Sequence, residues 1–143
     1  MYRITETAVI DGDAAQVWAV ATDVSEWPSW DPHEEAARLD GPFATGTTGW
    51  SKPKGAPAAS WTITAVEVGR LWSSECGLPG GKLTGANSFD DCGPAAVRCA
   101  KSVTVTGPLV PLFRLWFGPR IRRDMKRTFA ALQDEVTRRT RLG

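Results

Sequence analysis

Alternating and helical spacings of side chains divide the start of the chain into two elements. Residues 2–10 (YRITETAVI) alternate between two sets of side chains that differ in polarity, the period of a strand with two unlike faces. In the next stretch, DGDAAQVWAVATD, apolar residues recur at helical spacing, and Asp13 precedes Gln16 at the spacing of a capping box. The pattern predicts a first strand and then a short helix over about 14–21.

Short alternating segments fill the middle of the chain, after a second brief helical turn that Pro28 and Pro32 end. Breaks such as KPKGAP, LPGG and DDCGP separate these segments and carry the residues that tight antiparallel connections need. The pattern predicts six hairpin-linked strands, over residues 33–40, 46–52, 59–67, 70–76, 81–90 and 96–106.

The C-terminal segment returns to helical spacing, with arginine and lysine opposite one apolar face. That face is formed by Ile121, Met125, Thr128, Phe129, Leu132 and Val136. Pro119 fits the first turn, where its missing N–H costs nothing, and Gly118 is expected to bend the chain away from the apolar lead-in LVPLFRLWF. A helix of about 20 residues would run roughly 30 Å.

One strand, two short helices, six strands and one long helix form an α+β pattern. A seven-stranded antiparallel sheet must curve, and one helix cannot fill its concave side, so a cavity between helix and sheet is expected. The 143 residues give room for one domain covering residues 1–143.

Tryptophan is the unusual component, with seven residues against one tyrosine. Indole rings are broad and costly to leave in water, so they fill a large core or line a cavity. Both interpretations stay open.

Charge, cysteine and histidine content narrow the function classes. The net charge of +1 hides an asymmetry: residues 1–40 carry nine acidic and two basic side chains, and residues 114–143 carry nine basic and three acidic. Three cysteines without metal-ligand spacing indicate reduced thiols. The N-terminal residues do not resemble a secretory signal peptide, and the longest apolar run is too short to span a bilayer, so a cytoplasmic protein is expected. A single histidine excludes a multi-histidine metal site, and phosphate-loop and Ser-His-Asp motifs are missing from the sequence.

Three stretches carry a likeness to a known superfamily: AAQVWAVATDVSEWPSWDP, WTITAVEVGRLWSSE and VTVTGPLVPLF. They resemble the helix-grip superfamily, also called START-like or Bet v 1-like (SRPBCC), and within it the bacterial polyketide cyclase/dehydrase group. The resemblance covers nearly the whole chain. It implies a seven-stranded curved sheet gripping the C-terminal helix around a pocket for a hydrophobic small molecule, aromatic, polyketide-like or lipid-like.

Members of that superfamily include ring-closing cyclases, carriers, sensors and protein-binding modules, and the fold alone does not choose among them. If the protein catalyses, the expected reaction is an aldol-type cyclisation or dehydration without a cofactor. The alternatives are a non-catalytic carrier or sensor, and an interaction module whose basic helix, Arg120–Arg139, docks on an acidic partner. A homodimer stays open, and neither a nucleic acid nor a membrane span is expected.

The candidate ligand-binding residues are mostly large and apolar and fall on predicted inward faces or at the mouth of such a fold. Trp18 and Trp27 are instead expected in the core, and for several of the others core and pocket remain alternatives. The candidates are Trp30, Trp50, Trp61, Trp72, Ser74, Phe113, Trp116, Met125 and Phe129.

A cyclase needs a base for a proton next to a ketone, and His33 is the one side chain whose ordinary pKa lies near neutrality. It would be a base if its strand points it inward. The neighbouring Glu34 and Glu35, which belong in water, favour a surface position instead. Asp31 fits a turn-forming Asx hydrogen bond.

The reaction also needs donors for the developing enolate oxygen. Asn87 and Ser74 would orient a carbonyl group. Arg98 and Lys101 fall on opposite faces of a regular strand, so at least one lies inside or near a strand end, and an inward Arg98 would bind an enolate. The candidate catalytic residues are therefore His33, Asn87 and Arg98.

Overall fold

Helices and strands follow the predicted order in the computed structural model, which describes residues 1–142. The strands are β1 (Tyr2–Asp11), β2 (Glu34–Leu39), β3 (Thr48–Pro53), β4 (Ala59–Glu67), β5 (Leu71–Leu78), β6 (Gly81–Gly93) and β7 (Ala96–Thr106). The helices are α1 (Ala14–Thr22), α2 (Trp27–Trp30), α3 (Val110–Leu112) and α4 (Gly118–Leu142). A 3-10 turn, Val24–Glu26, precedes α2, and a π-helical turn, Phe113–Phe117, joins α3 to α4.

All seven strands form one sheet in the order β1-β7-β6-β5-β4-β3-β2, with antiparallel neighbours throughout. The predicted run of hairpins from β2 to β7 is confirmed. Three register shifts interrupt the ladders, between Glu34 and Ala36, Ile63 and Ala65, and Asp91 and Gly93. Such bulges bend a strand and increase its twist, and they fit a sheet that curls around a helix.

The long helix α4 lies in the concave side of this sheet and packs against β1 and α1. Its predicted apolar face is confirmed, since Met125, Phe129, Leu132 and Val136 are all buried. The sequence and the structure agree on the α+β helix-grip fold. No helix within residues 1–142 combines the length and the apolar character needed to cross a membrane.

Two local predictions were wrong. Asp13 is the residue before α1, but its side chain makes no capping hydrogen bond. The Gln16 side chain instead accepts a hydrogen bond from the hydroxyl of Thr140 on α4, so a tertiary contact replaces the local one.

Gly118 does not bend the chain away from its lead-in, because its backbone is helical and the π-helical turn runs directly into α4. A Cβ atom there would collide with the Tyr2 hydroxyl and would lie 2.7 Å from the Phe113 carbonyl oxygen. Close packing on Tyr2 therefore explains why glycine suits this position.

Candidate functional site

Aromatic rings fill much of the space between sheet and helices. Trp27 stacks on Trp61 at 5.9 Å between ring centroids, and both lie about as close to Trp72, at 6.1 and 6.2 Å. Phe43, from the loop between β2 and β3, meets Trp72 edge-on at 5.2 Å. Trp18 extends the cluster from α1. Most indoles thus belong to a packed core, and the cavity is small.

The remaining interior cavity has a volume of about 60 Å³. Trp72 and Phe89 from the sheet, and Phe129 and Leu132 from α4, form its apolar walls. Since one water needs roughly 10–15 Å³ of such space, the cavity admits a substituent or part of one ring, and a whole polycyclic ligand is too large for it.

Polar side chains form one side of this cavity. Lys101 on β7 pairs with Asn87 on β6, which in turn pairs with Trp72 on β5. Directly paired residues share a face of the sheet, so this row points into the concave side. Glu34 from β2 and Thr128 from α4 complete the polar side together with Asp31.

A second opening, of about 170 Å³, adjoins the cavity and leads to solvent. Asp31, Glu34, Lys101 and Thr128 line both spaces, and the outer one is also lined by His33, Ile121, Asp124 and Met125. We call this outer space the mouth. The polar residues therefore stand where the mouth meets the interior cavity.

Glu34 is the carboxyl group of the site whose ionisation is shifted by its surroundings. Burial, and to a smaller extent the negative charge of Asp31, raises the pKa of Glu34 from 4.5 to about 7, although the Lys101 ammonium acts in the opposite direction. At neutral pH both forms of this carboxyl group are populated, which suits it to accept or donate a proton.

Asp31 is buried but well satisfied. Its Oδ1 accepts a hydrogen bond from the His33 backbone N–H at 2.9 Å, which is the predicted Asx interaction, and the Thr128 hydroxyl donates to the carboxylate at 3.2 Å. These bonds fix the turn that carries His33 and Glu34 to the start of β2.

Three buried polar atoms have no hydrogen-bond partner within the part of the chain that the structure describes: Trp30 Nε1, His33 Nε2 and Glu34 Oε2. All three belong to one turn beside the cavity. Buried polar groups are normally paired, so these atoms are available to water or to the polar groups of a ligand. His33 Nδ1 lies 3.6 Å from an Asp124 carboxylate oxygen.

The structure brings part of the predicted set together. The cavity is lined by Trp30, Trp72, Asn87 and Phe129, and the mouth by His33 and Met125. Trp61 packs within the aromatic cluster, and its indole N–H donates to the Ser51 hydroxyl at 3.2 Å.

Ser74 and Phe113 line neither the cavity nor the mouth. Ser74 is half-buried beside Gly85 in the next row of the sheet. Phe113 is buried before α4, where its ring lies 5.1 Å from that of Phe117.

Trp50, Arg98 and Trp116 lie away from the cavity. Trp50 is on the convex face, where the Arg38 guanidinium covers its ring at 5.1 Å. Arg98 is also on the convex face and exposed, because the buried Val97 and Cys99 on either side of it point inward. Trp116 is 64% exposed.

Sequence reasoning missed Glu34 and Thr128 as cavity residues, and it named Lys101 only as the alternative to an inward Arg98. The prediction that Glu34 belongs in water was wrong, because its carboxyl group is partly buried against the cavity. Lys101 carried a usable signal, since it lies two residues from Cys99 and so shares its face. Within residues 1–142, no three histidine, cysteine or carboxylate side chains are grouped so that they would hold a metal ion.

Comparison with solved structures shows the same fold in proteins of very different sequence. The aromatase/cyclase ZhuI from Streptomyces sp. R1128 superposes with a TM-score of 0.80 and 13% identity, over 97% of this chain and 95% of that one. A START superfamily protein from Mycobacterium smegmatis superposes with a TM-score of 0.75 and 12% identity, over 96% of this chain and 99% of that one. The third structure is norcoclaurine synthase from Thalictrum flavum in complex with dopamine and hydroxybenzaldehyde. It superposes with a TM-score of 0.74 and 11% identity, over 96% of this chain and 87% of that one.

Sequence comparison gives the family. No curated protein sequence matches the chain. The family model described as "Polyketide cyclase / dehydrase and lipid transport" matches residues 1–137. Since that match spans nearly all of the 143 residues, this chain belongs to the polyketide cyclase/dehydrase and lipid transport family.

Proposed function

We propose that the protein binds a small aromatic or other planar molecule with its oxygen-bearing end in the cavity, and that Glu34 transfers a proton in a cofactor-free cyclisation or dehydration. The observation that carries this proposal is the Glu34 carboxyl group, whose pKa is raised to about 7 and whose buried Oε2 has no partner among the described residues. A family that includes cyclases and dehydrases supports it.

Glu34 alone would carry out both proton transfers of a dehydration. The carboxylate removes a proton from the carbon next to a ketone and leaves an enolate. The enolate then expels a hydroxyl group from the β carbon, and the protonated Glu34 gives that proton to the departing oxygen, so that water leaves and the carboxylate is restored. In an aldol cyclisation the same proton returns to the new alkoxide.

Lys101 and Asn87 would stabilise the enolate. They are directly paired across β6 and β7 and line the same cavity as Glu34. The Lys101 ammonium and the Asn87 amide N–H are donors, and fixed donors aimed at a developing oxyanion are commonly the largest part of such catalysis.

The size of the two spaces sets the orientation of the ligand. The interior, about 60 Å³, accepts the reacting carbonyl end, and the mouth, about 170 Å³, would hold the rest against Ile121 and Met125. Trp30, whose indole N–H has no partner among the described residues, adds a further donor to the cavity lining.

A simple β-hydroxy ketone tests the proposal. The dehydration of 4-hydroxy-4-phenylbutan-2-one gives a conjugated enone that is followed by its ultraviolet absorbance, and binding is measured separately by quenching of tryptophan fluorescence. We expect the rate to rise with pH through about 7, the pKa of Glu34. Glu34→Gln should bind the ketone and lose turnover, while Glu35→Gln, on the outside of β2, should keep both.

Two results would count against catalysis. Equal turnover by the native protein and Glu34→Gln would remove Glu34 from the mechanism. Tight binding with no turnover of any hydroxy ketone, together with a co-purified small molecule found by native mass spectrometry, would support a carrier instead.

A further inference from the structure

The segment before α4 leaves four large apolar side chains exposed in the structure of residues 1–142. Leu115 is 80% exposed, Trp116 64%, Leu112 46% and Phe117 37%. We call these four residues the apolar ridge. Single exposed apolar side chains are ordinary, but several in one short segment mark an interaction surface.

Packing contacts and hydrogen bonds of neighbouring residues fix the position of the apolar ridge. Phe113 is buried in the same turn, its ring lies 5.1 Å from that of Phe117, and its backbone N–H donates to the Leu109 carbonyl oxygen at 3.0 Å. The Arg114 guanidinium lies 5.7 Å from the centre of the Tyr2 ring. Leu112, Leu115 and Trp116 therefore project together from an ordered helical turn.

Positive charge continues from the ridge along α4. Residues 109–127 contain six basic side chains and one acidic one, Asp124. Arg120, Arg123 and Arg127 recur at steps of three and four and so share one side of the helix. Arg120 and Arg127 form no salt bridge within residues 1–142, and Arg123 has only a contact at 4.0 Å with Asp124.

We propose that the apolar ridge inserts into an anionic lipid surface and that the arginines of α4 contact its headgroups. A leucine and tryptophan tip with arginines set back along the same side matches a bilayer interface, where rings lie at headgroup depth and cationic side chains reach the phosphates. The ridge offers a partner little hydrogen bonding beyond one indole N–H, whereas protein interfaces carry about one hydrogen bond per 100–200 Å².

Docking in this way brings the mouth to the lipid surface. Ile121, which lines the mouth, lies about one helical turn from Phe117. An apolar ligand would then pass between bilayer and cavity with little exposure to water. The lipid contact itself depends only on the ridge and the arginines, whatever the cavity binds.

Vesicle sedimentation tests the proposal with the full chain. We expect the native protein to bind phosphatidylcholine vesicles that contain phosphatidylglycerol, more weakly at high salt, and to bind pure phosphatidylcholine poorly. The double change Leu115→Ser and Trp116→Ser should lower the partition coefficient about tenfold or more, since it removes two large apolar side chains from the interface. The matched control is Val68→Ser, because Val68 is 83% exposed in the turn between β4 and β5.

Two further variants separate the contributions of charge and insertion. Arg120→Glu with Arg123→Glu should remove the preference for phosphatidylglycerol. Trp116→Phe should keep binding but lose much of the quenching by brominated lipid, which shows that residue 116 enters the bilayer. Circular dichroism confirms folding of each variant.

The proposal is overturned if the native protein ignores both kinds of vesicle, or if the Leu115→Ser and Trp116→Ser change leaves binding intact. Light scattering that shows a dimer dependent on the apolar ridge, without vesicle binding, would assign the ridge to a second copy of the chain and would equally overturn the proposal.

Discussion

The Glu34 carboxyl group should make the native protein less stable as the pH rises, and Glu34→Gln should remove that loss. In the unfolded chain its pKa is 4.5, and in the folded protein burial raises it to about 7. Between these values the folded state keeps a proton that the unfolded state has released. By linkage, the contribution of this group to the free energy of unfolding falls as the pH rises from 4.5 to about 7 and is constant above that range.

The magnitude follows from the two pKa values. One pKa unit corresponds to about 1.4 kcal/mol, so the change from 4.5 to about 7 sets an upper bound of about 3 kcal/mol. The carboxyl group also faces the mouth, which is open to solvent, and screening by water reduces the expected effect to about 2 kcal/mol. Glutamine has nearly the same size and does not ionise.

Urea unfolding followed by tryptophan fluorescence measures this difference. We expect Glu34→Gln and the native protein to differ by a constant amount below about pH 4.5, and the variant to gain about 2 kcal/mol relative to the native protein by about pH 8. Glu35→Gln serves as the control with the opposite direction, because a hydrogen bond from Lys52 lowers the pKa of Glu35. If the difference between Glu34→Gln and the native protein does not change with pH, the desolvation of Glu34 is refuted.

Two further substitutions test the packing of Trp61 and the ion pairs of Glu135 in the C-terminal half of α4. Gly49→Ala should lower the free energy of unfolding by about 1–3 kcal/mol, because the new Cβ would overlap the Trp61 indole. Gly77→Ala is the control and should leave the free energy of unfolding unchanged, because a Cβ there meets no atom within 4 Å. Chemical denaturation of both variants measures the difference. Hydrogen bonds, led by that from Arg138, lower the pKa of Glu135 to about 2. Glu135→Gln should therefore cost roughly 1 kcal/mol near neutral pH, a loss that declines as the pH falls from 4.5 toward 2, and urea titrations at the two extremes should show it.

Local patterns predicted the elements well because their causes are local. The apolar face of α4, with Phe129 and Val136, follows from helical spacing alone, and the hairpins follow from glycine and proline in their turns. The direction of a side chain on a strand is a tertiary property. Trp50 was a pocket candidate, yet it points outward because Gly49 beside it takes the inward position under the Trp61 ring.

Which tryptophans line the cavity is likewise a tertiary property that local patterns do not predict. The number of indoles predicted a large core or a cavity, and the structure contains both, with the core taking the greater share. How the indoles divide between core and cavity depends on Phe43, which contacts Trp72 from a loop. A contact from a loop leaves no periodic signal in the sequence, so neither the ring cluster nor the small size of the remaining cavity was predictable from spacing.

Glu34 faces the cavity because of one extra residue in β2. Ala37 and Leu39 pair with Ser51 and Gly49 on the concave side, and strict alternation from them would turn Glu35 inward and Glu34 outward. The register shift between Glu34 and Ala36 reverses this. Glu35 is left outside, where the Lys52 ammonium donates to it at 2.6 Å. A single bulge thus converts one of two adjacent glutamates into the group with a pKa near neutrality, and no property of either side chain alone distinguishes them.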